Sequence, residues 1–418
     1  MPIGRTRFNT ARGLLLVPLI ALTAWGVAMI YSTTSALPRG PGLYEAYYMK
    51  RQLLWLGTGS ILAGAIWRLD YRKAEPYRRL ALCAVAIPLL YLALASLLWN
   101  FPAARGLVRQ FPLIPFTARG PLNGAFRWLR LGPASIQPSE FAKPLLIYYL
   151  AAHFRLPLRT ESLRRGVAEP VILGGAILTL IFAGRDLSST VITGAIMGAM
   201  LFIAGVRLRY LLLLGILGLA FVGLVLVSSP VRRKRVTDYM AQQEDKESGN
   251  EQVLRAKMAM GSGGVSGMGF TGSRFKRLGL PEAHTDFIVA IVGEEAGFLG
   301  VLGVLLAYVL LTGAIFWIAA QTDEPFGQLL AIGVGLTFCL QAFVNVSVVS
   351  GFCPTTGVTA PFLSYGGSSM ISCLLCTGLV MSVSRVAERE ASAEGDGVAG
   401  PHDRQSKRLN LQREGGTI

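Results

Sequence analysis

From Phe298 to Ala320 the chain carries no charged side chain. An α-helix needs about 20 apolar residues to cross the ~30 Å hydrocarbon core of a bilayer, so this stretch is a membrane span or a helix buried on every side. Comparable windows recur at 13–31, 52–67, 80–99, 137–153, 169–184, 188–205, 210–229, 285–318, 327–350 and 367–384. In lipid only helices and closed barrels satisfy the backbone, and continuous apolar runs lack the alternation of a barrel. The expected fold class is therefore all-α: a polytopic integral membrane protein with about ten transmembrane helices. Composition agrees, because 15% of residues are charged against roughly 25% in soluble domains. The first span is too long, and lacks the small-residue cleavage site, for a removable signal peptide.

Charge sets the expected orientation. The basic start (Arg5, Arg7, Arg12) and the Arg-rich links Arg68–Arg79, Arg155–Arg165 and Arg207–Arg209 place both termini in the cytoplasm by the positive-inside rule. Those loops account for much of the net charge of +16, so no nucleic-acid partner is expected. Other basic residues fall on the outward side by parity: Arg105, Arg109, Arg119, Arg127 and Arg130 in one loop, Arg232–Arg235, Lys246, Arg255, Lys257, Arg274, Lys276 and Arg277 in another. Anionic headgroups or a pyrophosphate ligand would explain them. The five Cys lie in or beside apolar spans, and Cys373-x-x-Cys376 lacks the second pair or His that a zinc site needs. Residues 1–385 read as one membrane domain with outward loops at 100–136, 230–284 and 351–367. Residues 386–418 read as a disordered cytoplasmic tail.

Five segments carry candidate chemistry. Residues 281–297 place Glu282, His284, Asp286, Glu294 and Glu295 at the start of a span, where ionised groups are energetically costly and mark function. On a continuous helix Asp286 would share a face with Val289, Ala290, Gly293, Gly297 and Gly300. Glu294 and Glu295 read as partners of a buried Arg. Arg127-Trp128 is followed by Ser139, Glu140 and Lys143, the last two being helix neighbours that form either a self-neutralising pair or part of a site. Asp186 and Ser188 read as helix caps or as polar wall. Gln341 and Asn345 share a helix face. Cys353 to Ser369, with Thr355, Ser364, Tyr365, Gly366, Gly367 and Ser368, is a broken, hydroxyl-rich loop; such backbone at membrane depth must line protein or a polar cavity. The glycine-dense run 260–272 is either a linker or a backbone able to approach an anion. No Walker loop, dinucleotide fingerprint, HExxH or GxSxG is present.

Pro281-Glu-Ala-His-Thr-Asp-Phe with Gly293-Glu-Glu, Trp128…Gln137-Pro-Ser-Glu-Phe-Ala-Lys143, and Pro354-Thr-Thr-Gly…Pro361-Phe-Leu-Ser-Tyr-Gly-Gly-Ser-Ser369 resemble the FtsW/RodA/SpoVE family of shape, elongation, division and sporulation proteins. The similarity runs from about residue 13 to 385, and its motifs look more like the division branch than the elongation branch. The resemblance implies a ten-span fold in the bacterial inner membrane. It also implies polymerisation of lipid II into glycan strands at the outer face, with undecaprenyl pyrophosphate as leaving group. The partners it implies are a class B penicillin-binding transpeptidase and other division proteins. Residue by residue, it puts the essential aspartate, as general base, on Asp286. The family's Glu and Lys fall on Glu140 and Lys143, with Lys143 the first choice for the pyrophosphate. Ser139, Trp128, Arg127, Asp186, His284, Thr285, Glu282, Asn345, Thr355, Ser364, Tyr365, Gly366, Gly367 and Ser368 are the expected remainder of the substrate site. Departures at Arg185-Asp-Leu-Ser188 and Val358-Thr-Ala-Pro-Phe362 put roles at Arg185 and Thr359 in doubt. No cofactor is demanded; a divalent cation, Mg or Mn, stays open, with Asp286, Glu282 and Asp186 as its only oxygen ligands in view. A lipid II flippase is the rival reading, and an elongation-type polymerase the near one.

Overall fold

The computed structural model describes residues 3–35, 46–111, 113–117, 120–121, 124–132, 134–155, 163–228, 233, 237, 239–240 and 251–395. Its long helices are α1 (Ile3–Thr34), α2 (Tyr47–Arg68), α3 (Arg78–Trp99), α4 (Pro138–His153), α5 (Leu163–Ala183), α6 (Leu187–Ile203), α7 (Leu208–Ser228), α8 (Ile288–Ala320), α9 (Pro325–Val349) and α10 (Gly367–Gly395). Among the described residues, six contain stretches long and apolar enough to cross a membrane, and Leu187–Ile203 and Leu208–Leu224 are shorter apolar helices. The expectation of an all-α membrane protein with about ten helices holds.

The centre of the bundle is α4. At 16 residues it is about 24 Å long, and Leu146 to Ala152 are buried without interruption. A helix covered on every face can carry polar groups that lipid would not tolerate, and Glu140 and Lys143 are both buried on it. It packs on α3, α6, α9 and α10, while α2 lies along α10 and α1 along α8. Small residues permit the close approaches: a Cβ on Gly378 of α10 would sit 2.7 Å from the Ala63 carbonyl of α2, and one on Gly26 would sit 2.7 Å from the Leu363 carbonyl.

The eighth span departs from the sequence reading. Helix α8 begins at Ile288, not 285, because Glu282 turns the chain with φ 54°. It then breaks at Gly297 (φ 68°, ψ −163°), so the expected alignment of Asp286 with Gly297 and Gly300 on one continuous face does not form. The glycine-dense run answers the break. Phe298 N–H donates to the Gly264 carbonyl (2.9 Å) and Leu299 N–H to Val265 (3.2 Å), while Met268 and Gly269 N–H groups donate to Glu294 and Glu295 carbonyls (2.9 and 3.0 Å). Backbone groups freed inside a membrane helix need such partners. Glycine is required because a Cβ on Gly263 or Gly267 would lie 2.0 or 2.2 Å from the Gly293 or Glu295 carbonyl oxygen. This run is therefore no free linker, and the anion its backbone meets is the protein's own Glu295 carboxylate, through the Thr271 N–H (3.1 Å).

The loops are also more structured than expected. Residues 100–136 contain a short helix, Arg105–Arg109, and the strand pairs Phe116–Thr117 with Gly120–Pro121 and Leu129–Leu131 with Ala134–Ile136. Residues 251–262 form a helix. Disorder from 386 is corrected as far as 395: α10 continues to Gly395, held by Arg12–Glu388 (2.8 Å) and Arg72–Glu390 (2.6 Å) ion pairs. The tail 396–418 lies outside the described residues, as do Arg119, Arg232, Lys234, Arg235 and Lys246. All five cysteines are free thiols.

Gly297→Ala would place a Cβ 2.4 Å from the Gly267 nitrogen at positive φ. We expect it to cost about 3 kcal/mol or more, lowering the thermal unfolding midpoint in detergent by several degrees. Gly313→Ala, with open space at its Cβ, is expected to leave the midpoint unchanged.

Candidate active site

The segment entering α8 is fixed by its own main chain. Thr285 and Phe287 N–H groups donate to the Glu282 carbonyl (3.1 and 3.2 Å). Three consecutive carbonyls are then taken by other elements: His284 by the Tyr365 N–H (2.9 Å), Thr285 by the Ser364 hydroxyl (2.6 Å) and Asp286 by the Asn345 amide (2.9 Å). The same Asn345 amide donates to Val358 (2.7 Å), so one side chain on α9 ties both functional loops together. The Asp286 side chain is thereby left facing a cavity of about 550 Å³. Gly357 (φ 71°) lies beneath it, and any Cβ there would touch the Asp286 carboxylate at 3.4 Å.

Burial pushes the Asp286 carboxyl up to about 6, Glu282 adds to the rise, and Arg127 opposes it. Removing a carboxylate from water disfavours its charged form, and a like charge nearby does the same. His284 is pulled below its ordinary value by burial, against the opposing effect of Glu282, and its ring packs on Tyr48 and Tyr365 at 5.2 and 5.7 Å.

The facing wall comes from α4 and the strands before it. Lys143 Nζ donates to Glu140 Oε1 (2.8 Å) and both side chains are buried, so the self-neutralising pair does form, at the edge of the cavity. Ser372 holds the Glu140 carbonyl (2.7 Å). Arg127 donates from Nη2 to the Arg185 carbonyl (3.1 Å), with Nε 3.9 Å from Asp186. Arg127 Nε, Asn345 Oδ1 and Thr356 Oγ1 are three of the ten buried side-chain atoms that, among the described residues, lack a protein hydrogen bond. All three residues line the cavity. Buried polar atoms are normally paired, so these three give the cavity wall hydrogen-bonding capacity that a polar ligand could use.

Of the expected site residues, Asp286, Glu282, His284, Thr285, Glu140, Lys143, Arg127, Trp128, Asn345, Thr355, Tyr365, Gly366 and Gly367 line the cavity. Ser139, Asp186, Ser364 and Ser368 do not. Asp186 caps α6 through the Ser189 N–H (3.2 Å) and accepts from Gln137 and Ser139 (both 3.0 Å). Ser364 accepts from Ala360 N–H and Ser368 from Gln137 N–H (both 2.9 Å). These four hold the wall in place rather than forming it. Ser188 is no cap; its hydroxyl donates to the Thr356 carbonyl. Arg51 and Trp55 of α2 and Gln252 also line the cavity, and the sequence did not single them out. Thr359, in doubt for its departure from the family pattern, lines it too.

The three-oxygen set for a divalent cation does not form. Asp186 is turned into its own hydrogen bonds, leaving Asp286 and Glu282. Among the described residues no three His, Cys, Asp or Glu converge.

Comparison with known proteins agrees with this geometry. The family model FTSW_RODA_SPOVE, described as cell cycle protein, matches residues 12–389. A probable peptidoglycan glycosyltransferase FtsW of Trichlorobacter lovleyi is 34% identical over 88% of this chain and 92% of its own. Stage V sporulation protein E of Bacillus subtilis is 36% identical over 89% and 96%. Among solved structures, a chain from work on structural coordination of polymerization and crosslinking by a peptidoglycan synthase complex superposes with TM-score 0.66 at 27% identity, covering 88% of this chain and 97% of that one. The rod shape determining protein RodA of Thermus thermophilus superposes with TM-score 0.59, also at 27% identity, covering 89% and 95%. The chain belongs to the FtsW/RodA/SpoVE family, and it is an integral membrane protein.

Asn345→Ala would leave the buried carbonyls of Asp286 and Val358 without their donor. Each unsatisfied group costs about 1–3 kcal/mol, so a drop in thermal midpoint larger than for an exposed change on the same helix, such as Phe343→Ala, is expected from a melt in detergent.

Proposed function

We propose that this chain is a peptidoglycan glycosyltransferase of cell division, polymerising lipid II into glycan strands at the outer face of the bacterial inner membrane. The observation that carries the reading is a half-buried carboxylate, Asp286, presented to a polar cavity whose wall also contains Arg51, Arg127 and Lys143. The relatives' names supply the reaction class. The Arg-rich link Arg68–Arg79 meets Glu324 at the far end of α8 from Asp286, through Arg72 (3.3 Å). Positive-inside orientation of that link supports an outward-facing cavity.

In this reaction the 4-hydroxyl of the acceptor sugar attacks the anomeric carbon of the donor. Asp286 takes the hydroxyl proton as the new C–O bond forms, and the bond to undecaprenyl pyrophosphate breaks. A positioned base contributes roughly 10²–10⁴ in rate. The departing pyrophosphate needs fixed positive charge. Arg127, whose Nε has no hydrogen-bond partner among the described residues, would provide it together with Lys143. Trp128, His284, Tyr365 and the backbone at Gly366 and Gly367 complete the substrate wall. Glu294 and Glu295, the carboxylates a transport path would need inside the bundle, are taken up by contacts to 271–276, which favours the enzyme over a flippase. A class B penicillin-binding transpeptidase is the proposed partner, as the neighbouring synthase complex suggests.

A base works only when deprotonated. With Asp286 held at about 6, kcat/KM of purified protein on labelled lipid II should rise with pH through about 6 and then level off. Glu282→Gln removes a negative neighbour that raises Asp286, so the rising limb should move to lower pH. A pH-independent rate between 5 and 8, or a limb that Glu282→Gln moves upward, would contradict the assignment.

A further inference from the structure

Outside the cavity the structure holds a second cluster of buried ionisable groups. Lys276 Nζ lies 2.9 Å from Glu295 Oε1 and 2.9 Å from the Ser32 hydroxyl, and Ser32 in turn donates to both Glu295 oxygens (2.6 and 2.8 Å). Lys276 and Glu295 are each about 1% exposed at the side chain. Glu295 also accepts from the Thr271 and Ser273 N–H groups (3.1 and 3.3 Å). Its neighbour Glu294 accepts from Arg274 and Phe275 N–H groups (2.6 and 3.3 Å) and from the Ser273 hydroxyl. The sequence suggests a buried Arg as partner for these carboxylates and an outward, lipid- or pyrophosphate-facing role for Lys276. Both are corrected: the partner is Lys276 together with four main-chain donors of one turn.

The topology gives the cluster its consequence. From Lys276 the chain runs out through Glu282, His284 and Asp286 and returns down α8 to Glu294 and Glu295, so these contacts close the base of a loop with Asp286 at its tip. Leu280 N–H on the Phe275 carbonyl (3.1 Å) and Arg255 on the Leu278 and Gly279 carbonyls (both 3.0 Å) brace its sides. The tip is held separately by Asn345, Ser364 and Tyr365. A loop pinned only at its tip keeps freedom along its arms, whereas pinning the base removes it.

We propose that the Lys276–Glu295 pair, with Ser32, is a positioning element for the transfer reaction, setting the placement of Asp286 without touching substrate. The proposal rests on the glycosyl-transfer reading for its kinetic consequence, while its structural half stands apart. Removing one partner strands a buried charge, but replacing both by neutral groups is tolerated far better. The test is therefore the double variant Lys276→Gln/Glu295→Gln of the full chain, purified in detergent, beside wild type and Lys276→Arg.

Two readouts are needed. Deuterium exchange of the 277–287 amides should speed up about 10-fold or more in the double variant, with α4 and α9 unchanged. On labelled lipid II, kcat should fall about 10- to 100-fold with KM within about threefold of wild type, since a displacement near 1 Å suffices for such a loss. Lys276→Arg should recover most of the exchange protection. A folded double variant with wild-type exchange and kcat overturns the proposal. So does failure of the double variant to fold, which would make the pair a folding determinant alone. Faster exchange without any polymerisation by wild type would instead leave the positioning intact and defeat the functional reading.

Discussion

The site depends on one side chain, Asn345, and what its amide does with two carbonyls. It sits buried on α9 and donates to the carbonyls of Asp286 and Val358, which lie in two irregular segments. Each bond contributes only about 1 kcal/mol net, yet losing both would remove the one side chain that ties the two loops over the cavity to each other. The carboxylate gains its basicity from the same arrangement. Main-chain capture holds Asp286 in place, with no ion pair to its carboxylate among the described residues, and burial raises its affinity for protons.

The membrane imposes a second constraint. Irregular backbone at depth has to be paired within the protein, and here each break in a helix is matched by a segment from elsewhere. The Gly297 break in α8 is filled by 263–269, and the turn before α10 is filled by Gln52, whose amide oxygen accepts the Gly366 N–H (3.3 Å). Polar side chains follow the same rule. Lys143, Lys276, Glu140, Glu294 and Glu295 are buried, and all are paired.

How much of this was legible in the sequence follows from what signals through side chains. Asp286, Glu282, Arg127 and Lys143 stood out because a charge in an apolar run has few neutral explanations, and they do line one cavity. The ten helices were legible for the same reason. Arg51 was not, since among Tyr47, Tyr48 and Lys50 it reads as an ordinary interfacial cation. The glycine run was ambiguous because its role is carried by backbone, and its partners lie about thirty residues downstream. For Asp186 a cap and a wall residue share one sequence pattern; in the structure it caps α6 through Ser189 and accepts from Gln137 and Ser139. Lys276 was misplaced because parity assigns a loop to a side but says nothing of depth.

The central claim is that Asp286 supplies a base, and its most direct test is Asp286→Asn, which keeps the shape and one acceptor oxygen while removing basicity. The variant should insert, melt near the wild-type temperature and bind labelled lipid II, yet make no glycan strands at any pH between 5 and 8. Strand synthesis by the folded variant at a rate near that of wild type would contradict the account.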